Sequence, residues 1–295
     1  MDLVPSEQVR SNSSARAFKA QDTGRKQSDD CPCGYLCGSA LREGVDGGMF
    51  GVVRKAMDRQ SGCIFVVKTY ALASGQGVLA DAQSLRREVQ QWAGLRHPHV
   101  IEILGFELDD RQLVVQMEYA AVGSLAAFLT GFGPVTGCLL KKIAVGTLEG
   151  LRFLHTRTPP VVHGNLRGDN ILLDIGFCAK LSDFGCNMFR ARSARSLAWT
   201  APEQLKDNEQ HGPTCASETA QDIWSFGCVL VEAATADSPC LVGDDAAPMP
   251  ACPVSDALSP GCQDVAVMCL LRNPADRPSA AELLDHEYFA PKRPD

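Results

Sequence analysis

The sequence lacks several features that would point to a membrane or nucleic-acid partner. It contains no apolar run of the roughly 18 residues that a membrane-spanning helix requires, and its first residues show no apolar segment of a signal peptide. No glycine follows Met1, so myristoylation is not expected. With 28 Lys and Arg against 35 Asp and Glu, the formal net charge is −7, which disfavours binding to nucleic acid. We therefore expect neither membrane nor nucleic-acid partners.

The sequence also lacks a CxxC pair of the zinc-binding kind, although it contains 13 cysteines. Three of them, Cys31, Cys33 and Cys37, cluster in CPCGYLC. A metal site there would need a fourth ligand and usually a wider spacing. Free thiols in a reducing cytoplasm are the alternative that this spacing favours.

The chain of 295 residues, 45% of them hydrophobic, suits one large domain or two lobes that share a cleft. Residues 1–37 are mostly polar and show no periodicity, so they are predicted to form a disordered leader. Residues 291–295 are predicted to form a short tail.

Hydrophobic patterns predict an α+β fold with two lobes. Strands at 49–56, 63–70 and 111–120, with a helix at 81–95, predict a first lobe at 38–119 built from an antiparallel β-sheet and one helix. A mainly α-helical second lobe is predicted at 120–290 from five helical patterns: SLAAFL, CLLKKIAVGTLEGLRFLHTR, AQDIWSFGCVLVEAATA, CQDVAVMCLLR and SAAELLDHEYF.

Short motifs follow in a fixed order along the chain. Gly48, Gly51 and Val53 fit two glycines and the valine of a loop that covers phosphates, while Asp46 occupies its first glycine position. Further along stand VVK with Lys68, KLSDFG with Asp183-Phe184-Gly185, WTAPE with Glu203, DIWSFG with Asp222 and RNPADRP with Arg277. In this order and spacing, residues 38–290 resemble the protein kinase superfamily and its two-lobed fold.

Different motifs resemble different branches of that superfamily. REVQQWAGLRHPHVIEILGF, GDNILLD and NPADRPSAAELLDHEYF are similar to serine/threonine kinases of the mitogen-activated kinase kinase kinase type. WTAPE and DIWSFG are similar to tyrosine-kinase-like members, and the HGN triplet resembles the pseudokinase domains of Janus kinases. The subfamily therefore stays open at this point.

The resemblance implies a site for ATP and Mg²⁺ between the lobes. Lys68 would hold the α- and β-phosphates, paired with Glu88 on the predicted helix, and Glu203 would pair with Arg277. Asn170 and Asp183 would bind Mg²⁺ through hard oxygen donors. Adenine would lie between Val53 and Val66 above and Leu172 below, with Met117 at the back and the backbone of Glu118 and Ala120 at the hinge. Ile103, Trp92, Phe184 and His163 would form an apolar column that joins the lobes.

The catalytic loop departs from the family pattern H-R-D-x-K-x-x-N. Residues 163–170 read HGNLRGDN, so Asn165 replaces the catalytic aspartate and Gly164 the preceding arginine. Arg167 replaces the loop lysine near the γ-phosphate and keeps its charge. Because asparagine is a poor base, the chain would lose a contribution of roughly 10²–10⁴-fold, whereas positioning and charge neutralisation would survive.

Two functions remain open. The chain would be a pseudokinase that acts as a scaffold or as the allosteric partner of a regulated kinase, or an active serine/threonine kinase that phosphorylates protein substrates.

Overall fold

The computed structural model describes residues 34–46, 49–71, 86–87, 89–109, 111–184, 197–205, 215–239, 241–242, 249–250 and 256–290. Tyr35–Asp295 forms one compact unit. The first strand begins at Tyr35, three residues before the predicted domain boundary at residue 38, which stays a prediction. Residues 1–33 of the predicted leader and the predicted tail at 291–295 lie outside the described residues.

A five-stranded antiparallel sheet with the order β1-β2-β3-β5-β4 forms the first lobe. Its strands are β1 (Tyr35–Asp46), β2 (Met49–Asp58), β3 (Ile64–Ala71), β4 (Ile103–Leu108) and β5 (Gln112–Glu118). The strands predicted at 49–56 and 63–70 form a hairpin, because β2 and β3 are antiparallel neighbours joined by a turn in which Gly62 has a φ of 71°. The Asp58 carboxylate closes that turn by accepting hydrogen bonds from the backbone N–H groups of Gln60 (3.0 Å) and Ser61 (2.7 Å).

The helix predicted at 81–95 is helical at 86–87 and 89–93, and the remaining residues of its first half lie outside the described residues. Val89 is fully buried and packs on the sheet with four apolar or aromatic side chains: Tyr70, Ile103, Leu113 and Val115. The apolar face of this helix is therefore its sheet-facing side, as its 3.6-residue period predicts.

The second lobe is mainly helical, which confirms the predicted α+β fold. Its helices are α1 (Leu125–Phe132), α2 (Gly137–His155), α3 (Pro202–Leu205), α4 (Cys215–Thr235), α5 (Pro260–Cys269) and α6 (Ala280–Leu284). Short strands accompany them: β6 (Gly123–Ser124), β7 (Ile171–Leu173), β8 (Ala179–Leu181), β9 (Leu241–Val242) and β10 (Met249–Pro250). Within the described part of the chain, no helix is both long and apolar enough to cross a membrane.

Helix α4 runs through the core of the second lobe. Every residue from 221 to 234 is buried, and the helix packs against α2, α5 and the 3₁₀ turn at Leu197–Trp199. A helix buried on all sides normally contains only apolar side chains. The two buried carboxylates of α4, Asp222 and Glu232, therefore need hydrogen-bond partners, and both find them in the loop that carries the candidate site.

One predicted helix is shorter than its pattern. The pattern SAAELLDHEYF predicts a single helix over 279–289, but α6 ends at Leu284 and a separate 3₁₀ turn spans Glu287–Phe289. The break occurs because the imidazole of His286 accepts a hydrogen bond from the Tyr288 backbone N–H at 3.2 Å, which caps a new turn.

Candidate active site

The sheet forms the upper wall of the cleft. Because side chains alternate along a strand, Val66, Lys68 and Tyr70 of β3 project from one face of the sheet. Val53 of β2 pairs with Lys68, and Met117 of β5 pairs with Val66, so these residues share that face. The structure therefore brings together the predicted adenine-contacting residues of the upper wall and the predicted phosphate-binding lysine.

Lys68 and Asp183 form an ion pair across the cleft. Lys68 is 5% exposed, and its Nζ lies 2.8 Å from Asp183 Oδ2. Burial alone would lower the pKa of Lys68, but the Asp183 carboxylate and the Tyr70 side chain outweigh burial and raise this pKa above its ordinary value. Asp183 has a φ of 57°, a left-handed conformation that non-glycine residues adopt mostly in turns and at functional sites. Glu88, the predicted partner of Lys68, lies outside the described residues.

The predicted metal ligands belong to segments that are tied together. The Asn170 side-chain nitrogen donates a hydrogen bond to the Asn165 backbone carbonyl at 2.7 Å. The Asn170 backbone carbonyl accepts one from the Ser182 N–H at 2.9 Å, directly before Asp183. Because the amide nitrogen of Asn170 is engaged, its amide oxygen is the atom suited to a cation.

This donor set fits Mg²⁺, which proteins often bind through one or two carboxylates together with substrate phosphates. Asp183 supplies the carboxylate and Asn170 the amide oxygen. Across the described residues, no group of three or more His, Cys, Asp or Glu is arranged to hold a metal ion. Cys31 and Cys33 lie outside the described residues, so a role for the cysteine cluster stays a prediction.

Asp222 anchors the start of the catalytic loop. Its carboxylate accepts hydrogen bonds from the backbone N–H groups of His163 and Gly164 and lies against His155 Nε2, each at 2.8 Å. Burial alone would raise the pKa of Asp222, but its interaction with His155 and the hydrogen bond from the Gly164 N–H lower it. Gly164 has a φ of 70°, which costs most other residues about 1–2 kcal/mol. Glycine at position 164, where the family pattern has arginine, therefore suits the backbone conformation of the loop.

Glu232 anchors the second half of the same loop. Its Oε2 accepts a hydrogen bond from the Gly168 N–H at 3.1 Å and another from Trp199 Nε1 at 2.9 Å. Burial raises the pKa of Glu232 to about 7. Sequence reasoning missed this residue. The available signal was a single carboxylate within an otherwise apolar helical pattern, ten residues after Asp222.

Arg167 lies inside the loop rather than in solvent. It is 7% exposed, and its Nε lies 3.6 Å from Asp169 Oδ2. Asn165 lines the same cavity as Lys68 and Asp183, so the residue at the base position faces the predicted nucleotide site.

The predicted apolar column is confirmed. The Phe184 ring lies 6.2 Å, centroid to centroid, from both the Trp92 and the His163 rings, edge-on in each case. Ile103 lines the same cavity as Phe184 and Trp92. Burial lowers the pKa of His163, and its Nε2 has no hydrogen-bond partner among the described residues, so the ring acts as a neutral packing group.

The hinge carries an ion pair that sequence reasoning missed. Glu118 Oε1 accepts hydrogen bonds from the Glu102 N–H at 2.8 Å and from Lys180 Nζ at 3.0 Å. Leu172 of β7 is paired with Lys180 of β8, and Ala120 of the predicted hinge is buried. The Glu118 side chain is thus engaged in these two contacts, and the contact of the Glu118 backbone with adenine stays a prediction.

Two other predicted features lie at the edges of the site. Gly51 is part of β2 opposite Tyr70, whereas Gly48 lies outside the described residues. The predicted pair between Glu203 and Arg277 is confirmed, with Arg277 donating to both carboxylate oxygens at 2.7 and 2.8 Å.

Comparison with solved structures agrees with this architecture. A structure titled "Crystal structure of Rad53 1-466 in complex with AMP-PNP" superimposes with a TM-score of 0.70 at 23% identity, covering 87% of this chain and 66% of that one. The strand-rich lobe, the helical lobe and the cleft between them define the protein kinase fold.

Sequence comparison gives the family. The family model for the protein kinase domain matches residues 42–289, and the chain belongs to the protein kinase family. It resembles serine/threonine kinases of the mitogen-activated protein kinase kinase kinase type. It is 32% identical to mitogen-activated protein kinase kinase kinase A of Dictyostelium discoideum over 261 residues, and 32% identical to YODA of Arabidopsis thaliana over 257. Each alignment covers 82% of this chain but only 27% and 28% of those proteins.

Proposed function

We propose that this domain binds Mg-ATP and acts in signalling as a pseudokinase, as a scaffold or as the allosteric partner of a regulated kinase. One observation carries the proposal. Lys68 and Asp183, the predicted phosphate and metal groups, line one cavity with Asn165 at the base position, and the predicted ligand Asn170 is hydrogen-bonded to the Asn165 backbone. Rad53, which shares this fold, has been crystallised with AMP-PNP, and this supports a nucleotide as the ligand.

The second candidate is an active serine/threonine kinase that phosphorylates protein substrates. The anchoring of the catalytic loop by Asp222 and Glu232 favours it, because positioning accounts for much of phosphoryl-transfer catalysis. Arg167 also retains a positive charge in the loop. The chain spans between 27% and 35% of the length of three of its mitogen-activated protein kinase kinase kinase relatives, so the substrates and partners of a longer protein would be further proposals.

A cytoplasmic location is part of the proposal. Five cysteines among the described residues are free thiols: Cys63, Cys138, Cys178, Cys262 and Cys269. Unpaired thiols are typical of a reducing compartment. Proteins of this family act on other proteins, so we propose a protein substrate or partner kinase.

Nucleotide binding can be tested by thermal unfolding. Mg-ATP should raise the melting temperature, because a ligand that binds only the folded state stabilises it. Lys68→Ala and Asp183→Ala should each abolish the shift, whereas Lys142→Ala, at an exposed lysine of α2 that does not line the cavity of Lys68 and Asp183, should leave it unchanged. If millimolar Mg-ATP produces no shift in the unmodified protein, the proposal is wrong.

A further inference from the structure

Tyr70 occupies a position next to the candidate nucleotide site that the family resemblance does not account for. It lies two residues after Lys68 on β3, and it is 5% exposed. Its side chain lines the same cavity as Lys68, Asp183 and Asn165. The face of the sheet that carries the phosphate-binding lysine therefore also presents a buried aromatic ring with a hydroxyl group.

The Tyr70 ring packs against the strand that follows the predicted phosphate loop. Tyr70 and Gly51 are directly paired across β2 and β3. A Cβ placed on Gly51 would lie 3.4 Å from Tyr70 Cδ1 and 3.5 Å from Cε1, so the ring lies close over the glycine. The ring therefore lies over a residue without a side chain, which leaves room for it at this position.

The same ring contacts the Lys68 ammonium group. Lys68 Nζ lies 4.8 Å from the Tyr70 ring centroid, within the distance at which a cation is attracted to an aromatic face. Lys68 thus contacts Tyr70 on its own strand as well as Asp183 across the cleft.

These two partners would behave differently when a nucleotide binds. Asp183 is a predicted metal ligand, so its carboxylate would have to serve Mg²⁺ as well as Lys68. Tyr70 belongs to the same strand as Lys68 and would stay beside it. We infer that Tyr70 is a positioning residue for nucleotide binding, whose ring keeps the Lys68 ammonium group over the cleft while Asp183 serves the metal. This inference rests on the proposed binding of Mg-ATP.

The test compares Tyr70→Leu with Tyr70→Phe by calorimetric titration with Mg-ATP. Tyr70→Leu removes the aromatic face and should weaken binding about five- to thirtyfold, whereas Tyr70→Phe keeps the face and should stay within about threefold of the unmodified protein. Tyr35→Leu is the matched control, because Tyr35 is also a buried tyrosine of the sheet but packs edge-on against Phe65, 5.2 Å between ring centroids. It should leave the affinity unchanged.

Three results would overturn the inference: unchanged affinity in Tyr70→Leu, an equal loss in Tyr70→Phe, or an equal loss in Tyr35→Leu. If the unmodified protein binds no Mg-ATP, the proposed function fails. A second measurement then still tests whether the Tyr70 ring contacts Lys68. Acylation of Lys68 by an N-hydroxysuccinimide ester in nucleotide-free protein, relative to Lys142 of α2, should rise several-fold in Tyr70→Leu and stay unchanged in Tyr70→Phe. Equal acylation in both variants and the unmodified protein would then overturn the contact itself.

Discussion

The two walls of the cleft differ in what their charged groups do. In the upper wall, Lys68 of β3 faces the cleft and pairs with Asp183 across it. In the lower wall, the carboxylates of α4, Asp222 and Glu232, point into the loop itself and hold its backbone. The loop backbone is therefore held from α4, by side chains other than that of Asn165. This difference explains how the base position can carry asparagine while the surrounding architecture persists.

The largest effect on stability is expected when the Asp222 carboxylate of the lower wall is removed. Asp222→Ala leaves two backbone N–H groups and His155 without their buried acceptor, which should lower the free energy of unfolding by about 3–5 kcal/mol. Urea titration measures this change, with Asp237→Ala, at an exposed position just beyond α4, as the control. A loss below about 1 kcal/mol would show that the loop does not depend on α4.

The second prediction concerns the pH dependence that Glu232 gives the lower wall. In the unfolded chain this side chain ionises near its ordinary pKa of 4.5, whereas burial raises its pKa to about 7 in the folded protein. Between these values the folded state holds a proton that the unfolded state has lost. The free energy of unfolding should therefore fall as pH rises from 4.5 to 7, by about 3 kcal/mol.

Glu232→Gln removes the titrating group and should flatten this part of the stability curve. The difference between the two proteins isolates Glu232 from the other groups that titrate in the same range. Parallel curves for the two proteins would refute the assignment.

A smaller effect is expected at Gly168, where the loop approaches Glu232 most closely. A Cβ on this residue would lie 2.5 Å from Glu232 Oε1, so Gly168→Ala should cost about 1–3 kcal/mol of stability. Gly131→Ala is the matched control, because Gly131 lies in α1 and a Cβ placed there would meet no described atom within 4 Å. That substitution should be neutral or stabilising. Equal stability changes at the two glycines would argue against a close loop contact.

The motif residues could be predicted because they stand at characteristic spacings along the chain. Lys68, Asn170 and Asp183 belong to such motifs, and the structure places Lys68 and Asp183 in one cavity with Asn170 hydrogen-bonded to the adjoining Asn165 backbone. Glu232 could not be assigned in this way, since its partners Gly168 and Trp199 are 64 and 33 residues away. Tyr70 was missed for a similar reason: it reads as one more apolar residue of a strand, and its contact with Gly51 arises only from strand pairing. Local patterns do not encode such pairings.

The helical pattern at 279–289 shows a different limit of prediction from the sequence. Its apolar spacing is helical throughout, but the side chain of His286 caps a new turn and interrupts the helix. Histidine is not among the usual capping residues, so periodicity alone could not place this boundary.

The most direct test of the proposed role of this cleft is single-turnover transfer of the γ-phosphate from radiolabelled ATP to a protein substrate, in the unmodified protein and in Asn165→Asp. If the cleft binds Mg-ATP and Asn165 limits the chemistry, the aspartate variant should transfer phosphate at least about tenfold faster, with unchanged affinity for Mg-ATP. Equal transfer rates in the two proteins would contradict this role, because the residue at position 165 would then not be what sets the activity of the cleft.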